Sequence, residues 1–188
     1  MQDYKEVLAE ILIDEKTLRN RIAELGAEIS RDYEGRNLIL ICILRGGMVF
    51  LVDLMRHITV PHMMDFMAVT SYGAGVRETS GSVRVTYDLQ TDIRGKDVLL
   101  VEDIVDSGNT IASVIEFLQT RQPRSLKVCT LLDKEERREA NVPVHYRGFR
   151  IPNKFVFGYG LDLDEYYRNL PFVGVVDLKK YKPPKQHG

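Results

Sequence analysis

Three carboxylates and two hydroxyls crowd one thirteen-residue stretch, Val98-Leu99-Leu100-Val101-Glu102-Asp103-Ile104-Val105-Asp106-Ser107-Gly108-Asn109-Thr110. An apolar run leads in and an amphipathic one leads out, so the polar residues fall between a buried strand and a helix start. The backbone N–H groups from Asp106 to Thr110, with the Ser107 and Thr110 hydroxyls, can form an anion-binding nest suited to a phosphate monoester. Gly108 allows the close backbone approach that such a nest requires. Carboxylates beside a phosphate would repel it unless they face another group. Glu102 and Asp103 therefore suit sugar hydroxyls, or a Mg2+ carried by the ligand. Phosphate plus diol describes a ribose phosphate. The plainer alternative is that Asp106 or Ser107 caps the helix while Glu102 and Asp103 are a solvated strand end.

The elements that must position this stretch are legible as apolar periods. Asp14 is placed to cap a helix in which Leu18, Ile22, Leu25 and Ile29 share a face. Leu38 to Leu44 is a continuous apolar run bounded by Gly35 and by Gly46-Gly47, which predicts a strand buried on both faces, and a helix is expected from about Gly47 to Arg56. Further strands are expected over His62 to Thr70, Val83 to Tyr87, Val98 to Val101, Leu126 to Leu132, Phe155 to Tyr159 and Val173 to Val176. A helix carries Ile111, Val114, Ile115 and Leu118. Ser71 to Gly81, polar and with three glycines, predicts a mobile loop, and Lys179 to Gly188 predicts a frayed tail. Buried strands alternating with helices predict an α/β domain with a mainly parallel sheet, whose chemistry lies beyond the carboxyl ends of the strands.

The 188 residues are 44% hydrophobic and 28% charged, which suits a single domain. With 26 Lys plus Arg against 27 Asp plus Glu, the net charge of -1 argues against a nucleic-acid-coating protein. No apolar run reaches the roughly 20 residues that span a bilayer, and the opening residues lack signal-peptide order. The expectation is a cytoplasmic protein with neither membrane nor nucleic acid as partner. Cys42 and Cys129 lie in apolar runs and read as buried free thiols. The four histidines lack zinc-site spacing.

Val101 to Thr110 resembles the phosphoribosyl-pyrophosphate signature of the type I phosphoribosyltransferases, and residues from about 10 to 178 resemble the hypoxanthine-guanine branch of that family. The resemblance implies the type I fold over 1–188, with a core at about 35–135, a small hood from about 1–15 and 140–178 and a tail at 179–188. It implies Mg2+-dependent transfer of a 5-phosphoribosyl group to N9 of hypoxanthine or guanine, with phosphoribosyl pyrophosphate and a 6-oxopurine as partners and a dimer or tetramer as assembly. Glu102, Asp103, Asp106, Ser107, Gly108, Asn109 and Thr110 would hold the ribose phosphate, and Asp106 would be the base near purine N7.

Arg45, Gly46 and Gly47 resemble the family's pyrophosphate loop, in which a non-proline cis peptide would fall at Leu44-Arg45; Arg168 would reach the same group. Arg45 stands where other members often carry Lys, and Asn109 where some carry Lys. Ser71 and Tyr72 match the family's lid. Lys134 matches the lysine that donates to the exocyclic oxygen of a 6-oxopurine; without the resemblance it reads as a solvated lysine heading the charge run from Asp133 to Glu139. Phe155 would stack on the base, with Ile104 on the other face and main-chain groups at Val156 reading the base edge. Periodicity alone places Phe155 in the core. Glu102, Asp103 and Asp162 are the implied metal ligands. Two rival readings carry the same fold: a xanthine-preferring transferase, and a nucleotide-sensing regulator that binds RNA.

Overall fold

The computed structural model describes residues 3–71 and 83–183. In chain order the elements are α1 (Tyr4–Val7), β1 (Leu8–Ile13), α2 (Glu15–Asp32), β2 (Leu38–Leu44), α3 (Gly47–Met55), β3 (His62–Ser71), β4 (Val83–Tyr87), β5 (Asp97–Val105), α4 (Asn109–Gln119), β6 (Ser125–Asp133), β7 (Tyr146–Arg150), β8 (Val156–Phe157) and β9 (Val173–Val176), with one 3-10 turn at Glu135–Arg137. Asp14 caps α2 as expected, its carboxylate accepting from the Thr17 N–H at 2.8 Å.

Six strands form one sheet in the order β4-β3-β2-β5-β6-β7, parallel throughout except for the β3–β4 hairpin. The chain leaves β2 toward β3 on one side and later runs from β5 to β6 on the other. The strand order thus reverses between β2 and β5, and the loops at the carboxyl ends of those two strands face a shared crevice. Alternation along β2 supplies both layers of core. Leu38, Leu40 and Cys42 pack with α2 and α3, while Ile39, Ile41 and Ile43 pack with Ile111, Val114 and Leu118 of α4. Both thiols are buried and free, and burial pushes each well above the ordinary range.

A second sheet joins the chain's ends in the order β1-β9-β8, over a small core of Val7, Phe157, Leu163, Leu170 and Val176. Three elements escape the sequence periods. β1 and α1 are short, and β7 is an edge strand with Arg147 and Arg150 pointing to acidic partners. The expected strand over Phe155 to Tyr159 is cut to Val156–Phe157, because Gly158, Tyr159 and Gly160 all take positive φ. The tail also differs from expectation. Tyr181 packs on the small core, its N–H bonds to the Asp177 carbonyl, and its hydroxyl donates to Asp164 at 2.5 Å. An amphipathic tyrosine therefore holds what composition alone marks as frayed; residues 184–188 lie outside the described residues. No described helix is long and apolar enough to cross a membrane.

Candidate active site

The carboxyl end of β5 carries the acidic pair into the crevice, and its surroundings overturn the solvated-strand-end reading. Asp103 is 8% exposed, and its Oδ1 accepts the Ile104 N–H at 2.8 Å. Its carboxylate lies flat against Gly46, where a Cβ would fall 1.7 Å from Oδ2. A side chain there would push the Asp103 carboxylate aside, so the β2–α3 loop and the acidic pair share one space. Desolvation, opposed in part by main-chain hydrogen bonds, raises the Asp103 carboxyl to about 6 from an ordinary 3.8. Burial, with the adjacent Asp103 charge, pushes Glu102 well up too, and Glu102 Oε2 is buried with no hydrogen-bond partner. A raised carboxylate is penalised when ionised, so this cost to the fold is full above about pH 6 and fades as pH falls from there to below the ordinary 3.8. A bound cation would remove the penalty at neutral pH.

Past β5 the chain turns through Asp106, Ser107 and Gly108 into α4. Neither Asp106 nor Ser107 caps the helix. The cap is Gly108 at φ 85, with no side-chain cap hydrogen bond of its own, and the Ser107 hydroxyl accepts the Asn109 N–H only at a long 3.4 Å. A Cβ on Gly108 would meet Arg138, Ala140 and Val142 at 3.0 to 3.1 Å, in addition to the strain of its φ. Ser107 and Gly108 are held from behind by Glu139 and Ala140, whose N–H groups donate to the Ser107 carbonyl at 2.9 and 3.1 Å. Asn109 bonds Glu139 at 2.7 Å, and Thr110 is exposed at the mouth.

Asp106 faces the end of β6. Lys134 is 5% exposed and donates from Nζ to Asp106 Oδ2 at 2.9 Å, which excludes the solvated-lysine reading. Its main-chain N–H bonds the Val105 carbonyl, and its neighbour Asp133, fully buried, is paired with Arg138 and with Arg147 at 2.6 Å. A buried ammonium beside a fixed carboxylate is held in one place. Arg137 Nε lies 3.3 Å from Asp106 Oδ1, an oxygen that is itself buried and makes no hydrogen bond.

The hood closes the crevice from the far side. Phe155 is 48% exposed, against the core position that periodicity gives it; its main chain is fixed by the Val176 N–H and the buried Val156 beside it. A large aromatic ring anchored through its backbone and left open on a face is suited to a flat ligand. Ile104 is half-buried against the main core. The peptide between Leu44 and Arg45 is cis, as the resemblance implies. Gly160 touches the same loop, a Cβ there falling 2.3 Å from the Gly46 carbonyl. Arg168 bonds the Gly160 carbonyl at 2.8 Å and pairs with Asp162 at 2.9 Å.

The crevice thus gathers Arg45 to Gly47, Glu102 to Thr110, Lys134 and the hood residues Phe155 to Arg168. Among the described residues no three carboxylates, histidines or cysteines converge as a metal site. Asp162 is engaged by Arg168, leaving Glu102 and Asp103 as a pair. Tyr72 and the side chain of Ser71, the expected lid, lie outside the described residues. Sequence reasoning missed Arg137 and Glu165. Both sit in mixed charge runs where only the fold shows which charge faces inward.

A parallel sheet with an anion loop and a carboxylate pair at its reversal point defines an α/β enzyme for a phosphorylated sugar. Residues 10–164 match the phosphoribosyl transferase domain family. The chain is 52% identical over 171 residues to the hypoxanthine phosphoribosyltransferase of Salmonella typhimurium, covering 90% of this chain and 96% of that one. It is 47% identical over 185 residues to the hypoxanthine-guanine phosphoribosyltransferase of Mycobacterium tuberculosis, covering 95% and 91%. A crystal structure of a hypoxanthine phosphoribosyltransferase from Staphylococcus aureus superposes with a TM-score of 0.91 at 42% identity, over 95% of this chain and 97% of that one. The chain belongs to the phosphoribosyl transferase domain family.

Proposed function

We propose that this enzyme serves purine salvage by moving a 5-phosphoribosyl group from phosphoribosyl pyrophosphate to N9 of hypoxanthine or guanine, giving the nucleoside monophosphate and pyrophosphate. The observation that carries the choice of acceptor is the ion pair of buried Lys134 with the partly exposed Asp106, at 2.9 Å beside the phosphate loop. An ammonium can only donate, so Lys134 donates to a purine O6 and opposes an adenine amino group. It can keep Asp106 while doing so, having three protons to give. Asp106 Oδ1, which makes no hydrogen bond and lies beside Arg137, would take a proton at N7 once Arg137 moves aside, and holding that proton leaves N9 as the nucleophile. The glycosidic C–O bond to pyrophosphate breaks as the N9–C bond forms, and the purine proton leaves through Asp106 to solvent.

The phosphate of the donor fits the uncapped start of α4, with Ser107 to Thr110 around it. Ile104 and Phe155 bracket the base, and main-chain groups at Val156 read its edge. The leaving pyrophosphate meets Arg45, Gly46, Gly47 and Arg168. Glu102 and Asp103 fit Mg2+: two carboxylates raised by mutual burial, one with an orphaned oxygen, match an ion that takes few protein ligands and fills its shell from substrate oxygens. Bound there, Mg2+ supplies positive charge to the donor's oxygens and the departing pyrophosphate.

The choice of acceptor is tested by initial rates with phosphoribosyl pyrophosphate, Mg2+ and each of hypoxanthine, guanine, xanthine, adenine, orotate and uracil. Turnover of hypoxanthine and guanine far above the rest is expected. Xanthine as the best substrate would overturn the assignment within the same site, and orotate or adenine would overturn the role of Lys134.

A further inference from the structure

We propose that the Glu165 carboxylate occupies the pyrophosphate subsite in the ligand-free enzyme, and that its displacement sets how tightly the enzyme holds pyrophosphate. The inference rests on the assignment of Arg45 and Arg168 to the leaving group, and goes beyond it in naming a competitor carried by the chain itself. One oxygen, Glu165 Oε2, lies 2.8 Å from Arg45 Nη2 and 3.4 Å from Arg168 Nη2. Two guanidiniums from opposite sides of the crevice, one on the core loop and one on the hood, thus meet on a single anion.

The backbone is shaped to put it there. Leu163 and Tyr166 exchange both main-chain hydrogen bonds, at 3.0 and 3.1 Å, and the two residues between them, Asp164 and Glu165, have φ of 53 and 70. That is a turn with both central residues left-handed, a geometry that ordinarily selects Asn, Asp or Gly, so Asp164 suits its place and Glu165 does not. The turn is held by the Asp162 carboxylate, which accepts the Glu165 N–H at 2.9 Å, and by Tyr181 on Asp164. Asp162 also holds Arg168 at 2.9 Å, so one carboxylate fixes both the stand-in and the cation it neutralises. An unfavourable backbone that persists because its surroundings over-determine it is a mark of a functional constraint.

The pair is built to be displaced. The Glu165 and Arg45 side chains are 58% and 69% exposed, so water and salt weaken their attraction. A pyrophosphate brings more charge and more acceptor oxygens to the same guanidiniums. Glu165 keeps the two arginines converged while the subsite is empty. It then competes with pyrophosphate, and so hastens its departure. Glu165 is a positioning residue and touches no reacting atom.

Removing the charge should therefore tighten pyrophosphate binding. Pyrophosphate with Mg2+ is titrated calorimetrically into the wild-type enzyme, Glu165→Gln and Glu165→Asp. Glu165→Gln is expected to bind about three- to tenfold more tightly, the scale of an exposed ion pair, and Glu165→Asp, which keeps the charge, within about twofold of wild type. Pyrophosphate's product-inhibition constant should fall by the same factor as its Kd, while the KM for hypoxanthine stays put. If Glu165→Gln folds poorly, Glu165→Asn, which tolerates the left-handed φ, replaces it. Equal or weaker binding by the neutral variants would overturn the stand-in role and leave the subsite assignment standing. No binding by any of the proteins would remove the subsite assignment, and the stand-in with it.

Discussion

Asp106→Asn is expected to lower kcat by about a hundred- to ten-thousandfold, the usual contribution of a positioned proton acceptor, while the Kd for phosphoribosyl pyrophosphate changes by no more than about threefold. The reasoning is geometric. Asparagine keeps the shape of the β5–α4 turn, and the Ser107 carbonyl remains held by the Glu139 and Ala140 N–H groups, so the phosphate loop is preserved. What is lost is a charged acceptor at Oδ1 and the ion pair that Oδ2 makes with Lys134. Single-turnover rates with hypoxanthine, set beside donor titration, separate the two quantities. Equal loss in both would demote Asp106 to a loop-shaping residue.

Lys134→Ala is expected to lower kcat/KM for hypoxanthine and guanine by about a hundredfold, on the scale of removing a charged donor to a buried oxygen. The loss should fall on the bases and not on the donor, and adenine should lose nothing. Discrimination between hypoxanthine and adenine therefore shrinks by nearly the whole effect. Competition between the two bases, followed by product analysis, reads this ratio directly. An unchanged ratio would mean that Lys134 only neutralises Asp106.

The strands and helices of the core were legible because their burial is periodic. Leu38 to Leu44 is apolar at every position because both faces of β2 are covered, and Leu18, Ile22, Leu25 and Ile29 repeat with the helix turn. The hood was less so. β1 leaves Ala9, Glu10 and Ile11 exposed in succession and so shows no period, β7 is an edge strand carrying Arg147 and Arg150, and β8 ends after two residues where three successive positive φ values intervene. Nothing local in Phe155 distinguishes a core phenylalanine from one left open to a crevice. Lys134 presents the same difficulty in reverse, since a lysine at the head of a charge run ordinarily faces water. Its burial depends on β6 running beside β5, which brings it to Asp106 from 28 residues away. The phosphate loop was readable because its parts are contiguous. The subsite for pyrophosphate was not, because Arg45, Glu165 and Arg168 meet only after the hood folds over the β2–α3 loop.

Whether this crevice joins a phosphoribosyl group to a 6-oxopurine is read by mixing the enzyme with phosphoribosyl pyrophosphate, hypoxanthine and Mg2+ and quantifying every product. Inosine monophosphate and pyrophosphate are expected in one-to-one amounts, and neither when Mg2+ is withheld. Pyrophosphate released with free ribose 5-phosphate, or no nucleotide from any base, would contradict that reaction.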